Sequence, residues 1–129
     1  MAISFDKALG VHEKALGLRS QRAEVLANNL ANADTPGFKA RDIDFQAMLA
    51  SQMESAAPLR TSHERHMSGT APATGELLYR NPIQPAIDGN TVDTQQEMAE
   101  FSKNALAFQA SFQFLNSKFK GLTSAIKGE

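Results

Sequence analysis

The sequence contains no cysteine and no tryptophan, and only one tyrosine, among its 129 residues. Because there is no thiol, disulfides, cysteine-based zinc sites and thiol catalysis are excluded. Lysine and arginine number 13 and aspartate and glutamate 14, a balance that does not indicate a basic, nucleic-acid-binding surface. Charges are scattered through the first 20 positions, and we see neither a secretory signal nor a membrane span. We therefore expect that, if the protein leaves the cytoplasm, it does so without a cleavable signal.

The strongest positive pattern is an apolar heptad repeat in the last third of the chain. Its members are spaced alternately by three and four residues, and no glycine or proline interrupts it between Gly89 and Gly121. This spacing predicts a helix over residues 91–127 that packs against other helices, with Asn90 or Thr91 as its N-cap. The nine members, here named the phenylalanine stripe, are Met98, Phe101, Ala105, Phe108, Phe112, Leu115, Phe119, Leu122 and Ile126.

A second helix is predicted over residues 5–32, where the same spacing recurs with polar residues at two positions. Gly10 and Gly17 weaken this helix by about 1 kcal/mol each relative to alanine, so we expect it to form when packed. The two long helices are expected to pair as a coiled-coil hairpin. The N-terminal repeat consists of Phe5, Leu9, His12, Leu16, Arg19, Ala23, Leu26 and Leu30.

A turn and a short helix are predicted after the N-terminal helix. Asparagine is frequent before Pro36-Gly37, and these residue types favour a tight turn, here over residues 33–41. Residues 42–55 are predicted to form the short helix, with Asp42 or Asp44 as its cap.

The middle of the chain, residues 56–90, contains four prolines and no helical periodicity. It is predicted to be an irregular arm, in which Glu76–Arg80 forms a short strand or an extended piece. The predicted fold is therefore all-α and a single domain over residues 1–129. It has long N- and C-terminal helices packed as a coiled-coil hairpin, a short third helix and an irregular, partly extended middle segment.

Few residues suggest chemistry. His63, Glu64 and His66 could contribute to a metal site, but a third ligand and a helical context are missing. Asp42 and Asp44 could form a carboxylate pair, although helix capping explains them better. We expect no catalytic residue, no cofactor and no metal, and we keep a metal-dependent wall hydrolase acting through the histidine pair only as a minor alternative.

The phenylalanine stripe needs a partner, because four of its nine members are phenylalanine and such a surface left in water promotes aggregation. The N-terminal helix is a weak partner, so we expect other chains to complete the packing. A closed homo-oligomer, an open head-to-tail filament and a helix-in-groove binding module, such as a cytoplasmic export chaperone, all fit this expectation.

The segment Ala27–Phe45, which reads ANNLANADTPGFKARDIDF, resembles the N-terminal signature of the flagellar basal-body rod proteins. The segment Asp88–Asp93, followed by a heptad helix, is similar to the closing segment of that family. The continuation after Phe38, the short length and the lack of a large inserted domain are most like a proximal member of the rod.

The resemblance implies a structural subunit that assembles through its terminal helices into a helical tube, which crosses the periplasm and transmits torque. It implies export through the flagellar type III apparatus and contacts with other copies, sister rod proteins, the inner-membrane ring and adjacent basal-body adaptor proteins. No nucleic acid and no small-molecule substrate are expected. The predicted subunit-interface residues are Leu9, Leu16, Leu26, Leu30, Asn28, Asn29, Asn32, Pro36, Gly37, Phe38, Phe101, Phe108, Phe112, Leu115, Phe119 and Leu122.

Overall fold

The structure is a computed structural model that describes residues 5–54, 77–82 and 86–128. The elements in chain order are α1 (Phe5–Ala31), β1 (Arg41–Ile43), α2 (Phe45–Glu54), β2 (Leu77–Tyr79) and α3 (Thr94–Lys127). The prediction of a mostly helical chain with two long terminal helices and a short third one is thus confirmed. No helix in these ranges is both long enough and apolar enough to cross a membrane.

Helices α1 and α3 lie antiparallel along much of their length. Asn29, near the end of α1, contacts Glu97 near the start of α3, and the His12 ring lies 6.4 Å from the Phe114 ring farther along. The buried apolar side chains form a thin core between these helices and β1. They are Ala15, Leu18, Leu26, Ala40 and Ile43.

The faces through which the two helices contact each other differ from those predicted for the coiled coil. On α3 the buried residues are Glu97 and Asn104, not members of the phenylalanine stripe. On α1, Leu26 is the one member of the predicted repeat that is buried among those whose exposure the structure describes. The coiled-coil detail is not confirmed, because the polar face of α3 finds hydrogen-bond partners on α1 and at Arg80, the residue after β2, that an apolar heptad pattern does not anticipate.

A two-stranded antiparallel sheet follows α1, with Arg41 opposite Tyr79 and Ile43 opposite Leu77. Strand β2 lies within the segment predicted to be extended, whereas β1 occupies the end of the predicted turn and the start of the predicted short helix. Helix α2 begins at Phe45 because Asp44 caps it, its Oδ1 accepting the Ala47 N–H at 3.0 Å.

The C-terminal helix begins three residues later than predicted. Asp93 is its N-cap and accepts the N–H groups of Gln95 at 3.0 Å and Gln96 at 3.3 Å. Asn90 and Thr91 do not cap it, because their side chains bond to the loop after α1. The prolines at 58 and 72, the residue pair His63 and His66 and most of the predicted arm lie outside the described residues.

Candidate assembly surface

The loop after α1 is fixed to the turn before α3 by one buried side chain. Asn90 is 6% exposed, and its amide nitrogen donates to the carbonyl oxygens of Asn32 at 3.0 Å, Ala33 at 2.7 Å and Thr35 at 2.9 Å. Its amide oxygen accepts the Val92 N–H at 2.8 Å. Two of these carbonyls, those of Asn32 and Thr35, also accept backbone N–H groups within the loop, so Asn90 fixes the loop after α1 to the turn before α3.

Backbone bonds continue this junction. The Gly37 N–H donates to the Asp88 carbonyl at 2.9 Å, and the Thr91 N–H donates to the Phe38 carbonyl at 3.0 Å. Gly37 and Gly89 have φ values of 73° and 75°, the left-handed region that favours glycine. A Cβ added to Gly89 would lie 3.8 Å from the Gly37 Cα, so the two turns need glycine mainly for their backbone angles.

Next to this junction, an ion-pair cluster joins α1, β1, α3 and the residue after β2. Arg22 binds Asp42 through both carboxylate oxygens, with Nε at 2.9 Å and NH2 at 2.8 Å, and its NH2 also donates to Glu100 at 2.9 Å. Arg80 donates to Asp42 at 2.6 Å and also to Glu97. The cluster holds two cations and three carboxylates, so it links four separate segments through charge-assisted bonds.

The carboxylates of the cluster have different environments. Burial alone would raise the pKa of Asp42, but hydrogen bonds from Arg22, Arg80 and the Ile43 N–H lower it below its usual value. The pKa of Glu100 is also lowered, because Arg22 and Lys103 outweigh the effect of burial. The pKa of Glu97 is raised, because burial outweighs the hydrogen bond from Asn29 and the charge of Arg80. These are the shifts expected of structural ion pairs in a partly dry junction.

Two asparagines connect the long helices inside the protein. Asn29 donates to the Arg41 carbonyl at 2.6 Å and to Glu97 at 3.2 Å, and its oxygen accepts the Arg41 N–H at 3.1 Å. Asn104 donates to the Arg19 carbonyl at 2.8 Å. The face of α3 that meets α1 is therefore held largely by directed polar contacts.

The phenylalanine stripe consequently lies largely in water. Seven of its nine members are exposed, and the other two, Leu115 and Leu122, are half-buried. The exposed fractions of Phe108, Phe112 and Phe119 are 39%, 57% and 50%. Leu106 and Phe114, which are outside the stripe, are exposed as well. This helix presents more apolar surface than scattered single residues would, which is a property of interaction surfaces.

An open groove of about 340 Å³ lies beside the loop after α1. Its lining includes Val25, Asn28, Phe38, Arg41 and Leu77. It has no nucleophile paired with a base, and residues 5–54, 77–82 and 86–128 contain no group of three or more histidine and acidic side chains that could hold a metal. The geometry of this region suits packing against another chain better than chemistry.

The predicted interface residues fall into three groups: buried, half-buried and exposed. Leu26 and Asn29 are buried inside the protein, where Asn29 bonds to β1 and α3. Asn28, Pro36 and Gly37 are exposed at the loop end. Leu9, Leu16, Leu30, Asn32 and Phe38 are half-buried, as are Leu115 and Leu122, while Phe101, Phe108, Phe112 and Phe119 are exposed.

The polar residues that organise this region were not anticipated. Arg22, Arg80, Glu97 and Asn104 were not predicted to have a role, and Asn90 was predicted only as a cap. The seven-residue spacing of Glu97 and Asn104 was the available signal, since it places both on one helical face.

Comparison with known proteins gives one consistent result. A family model described as flagella basal body rod protein matches residues 9–39. A flagellar basal body rod protein FlgB from Aeromonas hydrophila is 56% identical, over 100% of this chain and 99% of that protein. Proteins of the same name from Cereibacter sphaeroides and Escherichia coli are 49% and 43% identical. These alignments cover 97% and 98% of this chain, and 98% of each of those proteins.

Proposed function

The chain belongs to the family of flagellar basal body rod proteins, and from this premise we propose that it assembles through its terminal helices into the proximal part of a helical, torque-transmitting rod. It is a structural subunit of the basal-body rod and not an enzyme. We treat residues 1–129 as one rod-type domain. The alternative of a cytoplasmic binding module or export chaperone is not supported, because the chain aligns over nearly its full length with relatives that are named as rod proteins.

The exposed phenylalanine stripe is the observation that carries this proposal. Each phenylalanine side chain gains about 1.5–3 kcal/mol when it is fully buried, and Phe101, Phe108, Phe112 and Phe119 all remain exposed in the single chain. Neighbouring subunits that cover the stripe would bury this surface. A long amphipathic helix with an apolar face left open is suited to lateral packing in a helical assembly.

The loop end supplies a second, smaller contact surface. Pro36 and Gly37 lie in the loop after α1 and are exposed. Hydrogen bonds from the Asn90 side chain and to the Asp88 carbonyl fix this loop in place. A loop fixed in this way loses little conformational entropy on binding. We infer that it contacts an adjacent subunit, with the groove beside Phe38 and Leu77 as part of the same surface.

The partners follow from the proposed place of the subunit in the proximal rod. They would be other copies of the chain, sister rod proteins, the inner-membrane ring and the adjacent basal-body adaptor proteins. Export through the flagellar type III apparatus, without a cleavable signal, would deliver the subunit to the periplasm. The family assignment supports assembly with other rod components of the basal body.

The experiment replaces two stripe residues that lie one turn apart. We expect Phe108→Ser/Phe112→Ser to abolish swimming in a strain that lacks the native copy, because the subunit interface loses two aromatic anchors. Export should continue, since the substitutions leave the buried face of α3 unchanged. The measurements are swimming on soft agar, the amount of subunit secreted and the yield of isolated basal bodies.

A matched control is Gln109→Ser/Gln113→Ser, which alters two exposed polar residues of the same helix with the same spacing. This control should swim normally. Normal export together with normal rod assembly in the phenylalanine variant would overturn the proposal that the stripe is the assembly surface.

A further inference from the structure

Helix α3 has two candidate faces for packing on α1, and the structure uses the polar one. The buried positions are Glu97 and Asn104, although phenylalanines lie nearby. At about 100° per residue, Phe108 and Phe112 lie about 40° and 80° around the helix from Asn104. A modest rotation of α3 about its own axis would therefore exchange the polar face for the phenylalanine stripe.

Burying the polar face has a cost in this structure. The Asn104 side-chain oxygen is buried without a hydrogen-bond partner among the described residues, and burying an unsatisfied polar atom is unfavourable. Glu97 is 1% exposed, and burial raises its pKa. Apolar burial alone would favour the phenylalanine-inward rotation, so a more specific interaction must select the observed one.

That interaction is directional and comes from α1 and β1. Asn29 holds Glu97 at 3.2 Å, Arg22 holds Glu100 at 2.9 Å, and the Arg19 carbonyl accepts from Asn104 at 2.8 Å. Arg22 and Asn29 are themselves fixed by Asp42 and by the Arg41 backbone. A rotation of α3 would break these bonds together and would separate the buried Glu97 from Asn29 and Arg80, and breaking a buried ion pair is destabilising.

We infer that Arg22 and Asn29 on α1, through Glu97 and Glu100 on α3, set the rotation of α3 and so keep the phenylalanine stripe facing outward. They are positioning residues, in the way that a buried asparagine fixes the register of a coiled coil at a cost in stability. The role of the exposed stripe in this inference rests on the proposed function. The rotation of α3 about its axis can be measured without rod assembly.

The test uses single thiols, which the cysteine-free sequence makes unambiguous. Ser111 is half-buried and its neighbour Phe112 is 57% exposed. A rotation of α3 should therefore change the exposure of the thiols in Ser111→Cys and Phe112→Cys in opposite directions. Both lie about two turns beyond Asn104, away from the substituted residues. Thiol-labelling rates would be measured on the purified full-length chain, with and without Arg22→Met/Asn29→Leu.

Rotation predicts opposite changes at the two thiols. The Phe112→Cys thiol should be labelled about tenfold more slowly in the variant, and the Ser111→Cys thiol faster, as the formerly minor rotation becomes dominant. Acceleration at both positions would mean that α3 has only come loose, and unchanged rates would mean that other contacts set the rotation. Equal labelling rates of the two thiols in the otherwise unchanged chain would mean that α3 is not fixed in one rotational position. Each of these three results overturns the inference.

The matched control is Gln21→Met/Asn28→Leu, which makes the same kinds of change at neighbouring exposed positions of α1 and should leave both rates unaltered. If circular dichroism shows that the double variant loses helix, Arg22→Met alone is measured with the same two thiols. Because the readout needs no rod, a failure here is distinct from a failure of the assembly proposal.

Discussion

At the scale of single residues, the side chain of Asn90 performs a task usually left to the backbone. Its nitrogen lies within 3.0 Å of three carbonyl oxygens, those of Asn32, Ala33 and Thr35. Two of these carbonyls, those of Asn32 and Thr35, also accept backbone N–H groups within the loop. One amide from a distant turn therefore fixes the position of the loop that follows α1.

Replacing Asn90 by alanine should destabilise the protein more than an ordinary surface change would. We expect the free energy of unfolding to fall by about 1–3 kcal/mol, since the buried Asn90 amide and its hydrogen bonds to the loop are lost. Urea unfolding followed by circular dichroism measures it. Asn116→Ala, at an exposed site of α3, is the control, and an equal loss in the two variants would contradict the assigned role.

At the scale of elements, Asp42 joins β1 to α1 and to the residue after β2, and the two arginines that it binds continue to Glu100 and Glu97 on α3. It binds Arg22 with both oxygens and also accepts from Arg80. Of the two acids predicted as the cap of the short helix, Asp44 caps it and Asp42 lies in β1. Sequence spacing showed two acids near a helix start, but it could not show which one faced an arginine from another element.

Asp42→Asn should lower stability at pH 7 by about 2 kcal/mol, a typical value for hydrogen bonds to a charged group. The pKa of Asp42 is lowered in the folded protein from 3.8, so the unfolded chain binds more protons between the folded value and 3.8. Stability from this carboxylate is thus complete above pH 3.8 and is lost as the pH falls through the folded pKa. The difference between wild type and variant should therefore shrink below pH 3.8.

The measurement is urea unfolding at pH values from neutral to acid. The contribution of Glu100 to stability is also lost as the pH falls below 4.5, the ordinary pKa of its carboxyl group. The reason is that its pKa is lowered in the folded protein as well. Glu97 acts in the opposite sense, since its pKa is raised and its contribution is lost as the pH rises above 4.5. Asp34→Asn, at an exposed site, should change stability by less than about 0.5 kcal/mol at pH 7. A wild-type advantage that persists unchanged into acid would contradict the assignment to Asp42.

At the scale of the whole molecule, the chain has a thin core and a large open face. Five apolar residues are buried among those described, and α3 exposes phenylalanines along much of its length. The ion-pair cluster and the Asn90 junction concentrate the directed contacts at one end of the helical pair. Beyond Phe114, Leu115 and Leu122 are half-buried and the other residues of α3 are exposed, so association with other chains has the most surface to bury there.

Association should therefore be linked to folding. We expect both the molecular mass by light scattering and the helix content by far-UV circular dichroism to rise with protein concentration, because ordering is offset by burial between chains. Phe108→Ser/Phe112→Ser should reduce both increases. A fully helical dimer or tetramer whose mass does not depend on concentration would mean that the stripe is already covered in a closed assembly.

The sequence by itself determined the three helices and the family. Heptad spacing placed the long helices to within a few residues, Pro36-Gly37 marked the turn, and local chemistry was sufficient because helix periodicity and turn preferences act over a few residues. Which face of α3 turns inward was decided by the tertiary structure alone. Arg22, Asn29, Asp42 and Arg80 come from separate segments, and only the fold brings them to Glu97 and Glu100. Hydropathy favours burying phenylalanine, whereas directed bonds between distant residues hold the polar face in place and leave the phenylalanines to other chains.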